Sequence, residues 1–419
     1  MLNPQSKGYF QAAISNSGSS FCPWAFTRNP REQAVRLGNQ LGCPTNNSEQ
    51  LVECLVSLDP WELIQPQEKL LDIFIDPQDM FGPSVENVTS PELKATAFLT
   101  DYPYKLAAEG RTHPVPYISG VNSHEGCYRS AWFVGAPSFL NRLNTDWENV
   151  ASSAFLLFQN DSQTFDKVRA YHFGEEKKEI TISDYEPLTT LIGDRFFAMP
   201  ARDAALLHAK LTGAPTYLYY FTEKVEDSVG HFLSTISDDS WLPRFLQMAA
   251  DVVKRRIYKF LNLKIQDFGS CHADEMMMFV TVVPTTVMDI KPGHPQYEFS
   301  KKLIKVWTSF ARNGKPDQLD GVTWDKVNLA VGDGNSTTNK VSSTSPIPKY
   351  LHINSNRPEM IDEPFHSRLS FWHELKLPRN LSPDQEQAYS HDIMKHKRIE
   401  ADNDAIYSCR KEDTGNMRI

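Results

Sequence analysis

At 419 residues the chain can hold one large α/β domain or two smaller ones, and 40% hydrophobic with 11% aromatic residues supplies a sizeable core. Its 52 acidic side chains outnumber 43 basic ones, a formal charge of −9 that argues against nucleic acid or an anionic membrane surface as a partner. No apolar run approaches the length of a membrane span, and the opening Met-Leu-Asn-Pro-Gln-Ser-Lys holds no apolar core, so no signal peptide is read there.

In chain order, residues 10–18 read as a core strand of small and β-compatible residues. Asn29-Pro30-Arg31-Glu32 is a helix start, with a capping residue, a first-turn proline and a glutamate three on; Leu37 and Leu41 continue its apolar face to Gly42. Asp59-Pro60-Trp61-Glu62 repeats that signal. Residues 72–92 are turn-rich, and Phe81-Gly82-Pro83-Ser84-Val85 reads either as plain loop or as the lining of a pocket. Residues 114–121 form an apolar, β-rich run, with Asn122-Ser123-His124-Glu125-Gly126 as the loop at its C-terminal end. Tyr128, Trp132 and Phe133 follow as an aromatic cluster, which lines a gorge or simply fills core. A helical pattern over 186–210 carries Pro200 as a kink, and 216–222 is a clear strand. Residues 230–262 mix loop and helix. From Tyr297 to Asn313 apolar residues recur at helical spacing until Gly314 stops the helix. Residues 332–347 are loop, and from about 381 the chain is a polar, charged, solvated tail.

Two loops carry candidate chemistry. Asp267-Phe268-Gly269-Ser270-Cys271-His272-Ala273-Asp274-Glu275 is a tight turn that presents one histidine, with two carboxylates at the start of the apolar run behind it. A general base is commonly displayed this way, although His272 alone also fits an ordinary surface-loop histidine. Glu125 alone reads more readily as a solvated loop glutamate. Its place at the C-terminal end of a buried strand is where open α/β sheets keep their chemistry, and a carboxylate there can orient an imidazole from another loop. Acid before histidine matches the Ser…Asp/Glu…His order of α/β-hydrolases. Yet no Gly-x-Ser-x-Gly occurs, and the nearest stretch, Ile14-Ser15-Asn16-Ser17-Gly18-Ser19-Ser20, lacks the first glycine and the spacing. His113 and His124 lack a third donor at metal-ligand spacing, there is no Gly-rich phosphate loop, and neither metal nor cofactor is expected.

The loops of Glu125 and His272 resemble the acid and base motifs of the type B carboxylesterases, the cholinesterase-like family. Ser6 to Gly18 is similar to the segment after the nucleophile helix, and Cys22-Pro23-Trp24-Ala25 resembles the acyl-pocket tryptophan motif. Ile192-Gly193-Asp194, Trp307 to Pro316 and Phe371-Trp372 follow in family order. The resemblance implies the C-terminal part of an α/β-hydrolase fold, an incomplete domain over 3–380 and a flexible tail over 381–419. It lacks the N-terminal strands, the oxyanion loop and the nucleophile elbow. Glu125 and His272 are then two members of a Ser-Glu-His triad, Trp24, Phe81 and Tyr128 belong to the substrate pocket, and the substrate is a small-molecule ester. The chain itself is expected to be inactive, to leave apolar faces of 10–18 and 114–121 uncovered, and so to express poorly. The alternative is a non-catalytic cholinesterase-like adhesion or matrix protein.

The same resemblance pairs Cys43 with Cys54, a small loop closed by a disulfide, which suits an oxidising compartment and a secreted parent. Cys22, Cys127, Cys271 and Cys409 are left without evident partners, and Ala198 stands where a further family cysteine is expected. Sequons at Asn46, Asn87, Asn160, Asn335 and Asn380 support secretion. The tail, with Cys409, offers a route to oligomers.

Overall fold

The computed structural model describes residues 1–377 apart from 28–29, 71–80, 87, 89, 158–161, 226–227, 236–243, 264, 281–289, 329–346 and 376. The expected Asn29 cap, residues 72–80, most of the 332–347 loop and the tail from 381 with Cys409 lie outside those residues. Among the described residues five strands form one sheet: β1 (Ala13–Asn16), β2 (Tyr117–Asn122), β3 (Thr216–Phe221), β4 (Lys349–Ile353) and β5 (Glu359–Asp362), in spatial order one to five. The first four are parallel, with Ala13 opposite Tyr117, Ile118 opposite Tyr217 and Tyr219 opposite Leu351, and β5 closes the sheet antiparallel. Parallel strands covered on both faces read as continuous apolar runs, which is why β2 and β3 stand out in the sequence.

Alternate side chains of these strands enter two separate cores. Tyr117, Val121, Leu218 and Tyr350 pack with the helices of residues 127–212 and with His366–Glu374. Ile118, Tyr217, Tyr219, Phe221, Leu351 and Ile353 pack on the other face against Phe299, Leu303, Val306 and Phe310 of the helix Tyr297–Asn313. That helix ends as its sequence indicates, at Gly314 with φ +65°, where the glycine amide bonds back to Phe310. Full burial of each such side chain favours folding by about 1.5–3 kcal/mol. Every residue of β2 is buried, which corrects the expectation that 114–121 would present a bare apolar face: both of its faces are covered by this chain's own helices. β1 is only partly covered and keeps Ile14 36% exposed.

The helix break near Pro200 has a different origin from the one expected. Residues Asp194–Ala198 form a π turn between the helices Tyr185–Gly193 and Met199–Thr212, and Pro200 sits in the first turn of the second, where no amide donor is needed. The π turn is wholly buried and aims Phe196 and Phe197 toward the loops at the C-terminal ends of β1 and β2.

Candidate active site

The acid loop is built by the end of β2. Asn122 is its last residue, and its amide donates to Glu125 Oε1 at 2.6 Å, curling the chain so that a carboxylate only 2% exposed points back along the sheet edge. Ser17, held at φ +67° just after β1, donates its hydroxyl to the same oxygen at 2.5 Å. A methyl group on Gly126 would lie 2.0 Å from the Thr189 carbonyl oxygen and 2.7 Å from the Gly193 amide nitrogen. Only glycine lets this loop press against the helix before the π turn.

The base loop reaches the same point from the far side of the sheet. Ser270 Oγ donates to the Glu223 carbonyl at 2.8 Å, and the His124 amide donates to the Ser270 carbonyl at 3.0 Å. Ala273 at φ +69° then turns the chain into a short 3₁₀ helix, Asp274–Met278. His272 Nδ1 lies 2.7 Å from Glu125 Oε2. The imidazole stacks on Phe197 at 4.4 Å and tilts against Tyr128 at 5.5 Å. Among the described residues no group hydrogen-bonds Nε2, and 30% of the side chain remains exposed. Burial lowers the affinity of this ring for a proton, but the bond to Glu125 and the nearby carboxyls of Asp274 and Glu275 outweigh it and leave its pKa raised.

Behind the pair lie two buried carboxyls. Asp274 accepts the amides of Val229 and Cys271, both at 2.8 Å, and burial still pushes it up to about 7. Glu275, bonded by the Asn122 side chain, is raised to about 7 by burial and then by the charge of Glu125. Asp274 and Glu275 thus open the element after His272, as their place at the start of the apolar run indicates, and they do so as buried groups facing Glu125 and His272.

Trp24 and Tyr128 meet at Phe197, each with ring centroids 5.7 Å from it, so an aromatic surface flanks the imidazole. Phe197 carries no signal in the sequence, where the family resemblance reaches only the neighbouring Ile192-Gly193-Asp194. Phe81 stands apart, 47% exposed in the loop that Thr27 ties down through Gly82 and Pro83. Ser17 bonds Glu125 and makes no hydrogen bond to His272, so it does not stand where the serine of a Ser-Glu-His set would. Cys43 and Cys54 are bridged, with Cα atoms 5.8 Å apart. Cys127 and Cys271, left unpaired on sequence grounds, form a second disulfide with Cα atoms 5.2 Å apart. Their positions held the signal: each adjoins one of two loops already expected to meet. The Cys22 thiol is buried, accepts the Ser19 amide at 3.1 Å and is pushed up to about 12 chiefly by burial. Asn46 is exposed, while Asn87, Asn160, Asn335 and Asn380 lie outside the described residues.

The model of the carboxylesterase family matches residues 1–372, a family of α/β-hydrolase fold. The chain is 30% identical over 393 residues to a carboxylic ester hydrolase of Bombus ignitus, covering 92% of this chain and 60% of that protein. It is 28% identical over 387 residues to venom carboxylesterase-6 of Apis mellifera, covering 90% and 60%. With liver carboxylesterase 1 of Mus musculus it shares 26% over 324 residues, or 76% and 49%. The chain thus spans about 60% of the length of the first two relatives.

Proposed function

The chain belongs to the carboxylesterase family, and from that premise we propose that Glu125 and His272 are the acid and base of a serine esterase acting on small-molecule carboxylic esters. The observation that carries this reading is the 2.7 Å contact between His272 Nδ1 and a buried, otherwise satisfied carboxylate, with Nε2 left open. In that arrangement Nε2 takes the proton of an attacking serine hydroxyl and returns it to the leaving alcohol. Glu125 fixes the tautomer and stabilises the imidazolium without taking up the proton itself. The aromatic surface of Trp24, Phe197 and Tyr128 favours esters with an apolar acyl or alcohol group beside the imidazole.

The 419 residues contain no Gly-x-Ser-x-Gly, and Ser17 is engaged by Glu125, so the nucleophile and its oxyanion donors have to come from residues other than these. The two disulfides support folding in an oxidising compartment, in keeping with an extracellular esterase. The test is direct. The 419-residue chain should not hydrolyse short-chain nitrophenyl esters. A polypeptide joining it to an upstream carboxylesterase segment with Gly-x-Ser-x-Gly should hydrolyse them, and His272→Ala should remove that activity by at least about 10³-fold with the fold intact. Hydrolysis by the 419-residue chain that His272→Ala abolishes would show a nucleophile within it. A folded joined protein without turnover would favour a non-catalytic adhesion or matrix role.

A further inference from the structure

Glu125 and His272 are 147 residues apart in sequence, and the loop that carries the histidine is irregular from Ile265 to Ser270. A hydrogen-bonded pair built on such a loop needs something to fix the separation of its backbones. Cys127 follows Glu125 by two residues and opens the helix Cys127–Gly135, while Cys271 immediately precedes His272. Their disulfide is fully buried, with Phe268, Ala131 and Tyr185 packed around it. The same junction carries a parallel β-bridge between His124 and Cys271, and the Asn122 side chain donates to the Cys271 carbonyl at 2.7 Å. Gly230 adds a close fit, since a methyl group there would lie 2.4 Å from Cys127 Sγ and 2.7 Å from Phe268 Cβ.

We propose that the Cys127–Cys271 disulfide is a positioning device for the acid-base pair, a covalent tie that keeps His272 Nδ1 within hydrogen-bond reach of Glu125. The Cys43–Cys54 bridge, which ties the loop after the helix Pro30–Leu41 to the helix Ser48–Ser57, has no such part. The catalytic consequence rests on the esterase reading above, but the geometric one does not, and the two are separable by experiment. The carboxyl groups facing His272 are Glu125, Asp274 and Glu275, so the titration of its ring reports how closely the loop holds it to them.

The experiment starts with peptide mapping of the 419-residue chain under non-reducing conditions, which should recover Cys127 linked to Cys271; two free thiols there would overturn the proposal. The His272 ring is then followed by NMR from pH 5 to 9 in the unaltered chain, in Cys127→Ala/Cys271→Ala and in Cys43→Ala/Cys54→Ala. Loss of the first bridge should move the His272 midpoint down by at least about half a pH unit, because the attraction to Glu125 weakens with distance. Loss of the second should leave it in place. Equal midpoints in all three would overturn the proposal. If the first double variant does not fold, Cys127→Val/Cys271→Ala keeps more of the core volume and is read the same way. Should that also fail, the folded chain is titrated with dithiothreitol, which gives two electrons and two protons to each disulfide and becomes a cyclic disulfide; the His272 signal should shift as Cys127–Cys271 opens. A signal unchanged when mapping shows that bridge open would overturn the proposal. In the joined, catalytically complete protein, removing the bridge should lower kcat by about 10-fold or more with KM little changed. An inactive joined protein whose His272 midpoint still depends on the bridge would refute the esterase reading and leave the positioning role standing.

Discussion

At the scale of single residues the site turns on how one carboxylate is spent. Glu125 has two oxygens: one is occupied by Asn122 and Ser17, and the other is left for the imidazole. Because burial alone would lower the pKa of His272, its raised value depends first on that last contact, with the charges of Glu275 and Asp274 adding to it. Glu125→Gln should therefore bring the His272 midpoint down by about 1 unit or more, as read from the ring proton by NMR. An unchanged midpoint would mean that the ring does not see this carboxylate in solution. Glu125 and His272 were legible in the sequence because each follows a recognisable structural cue, a strand end and a glycine turn. Phe197 was not, because nothing in Asp194-Arg195-Phe196-Phe197-Ala198 distinguishes a π turn from the surrounding helix, and its stacking on His272 exists only after the helix is distorted. Cys127 and Cys271 are an intermediate case: nothing marks either alone, yet two loops that must meet bring their cysteines with them.

At the scale of elements, the acid loop and the helix Tyr185–Gly193 meet backbone to backbone, with Gly126 and Gly193 both at the contact. The space is set by the Thr189 carbonyl and the Gly193 amide, neither of which can swing aside as a side chain would. Gly126→Ala should cost about 1–3 kcal/mol or more, seen as a lower urea midpoint with an unchanged slope. A midpoint equal to that of the unaltered chain would show that the loop stands off the helix. Strands β2 and β3 and the helix Tyr297–Asn313 were readable because their burial is periodic or continuous along the chain. The covering of β2 was not, since it depends on which helices fold across it from sequence-distant segments. The helix Arg244–Phe260 illustrates the converse limit. Its sequence is amphipathic, but Leu246, Val253, Ile257 and Phe260 are exposed, so the apolar stripe does not say what the helix packs against.

Across the whole molecule, the groups around the site tie stability to pH in one direction. His272 is raised above its ordinary value, so the stability it contributes is full below about 6.5, the unfolded pKa, and is lost as pH rises through its folded value. Asp274 and Glu275, at about 7 in the fold against roughly 4 in the unfolded chain, bind protons more tightly when folded; their contribution is full below about 4 and is lost as pH climbs through about 7, and Asp194, raised to about 6 by burial, acts in the same sense at lower pH. The Met1 amine, lowered by burial, works in the opposite sense, but it is one half-buried group against three around a single site. Buried His172, His208 and His352 are all lowered, and they destabilise the fold only as pH falls below about 6.5, where the unfolded chain takes up their protons. Asp184 and Asp267, lowered by their lysine and backbone partners against the effect of burial, act lower still, as pH falls through about 4. Between pH 6.5 and 8 the balance therefore rests on the raised groups, and the melting temperature should fall across that interval by about a few degrees in scanning calorimetry. Asp274→Asn removes one of the three without removing the side chain's shape, and should flatten the decline. A melting temperature that rises from pH 6.5 to 8 would show that these carboxyls are ionised in the fold at neutral pH, and that the interior behind His272 is wetter than its packing indicates.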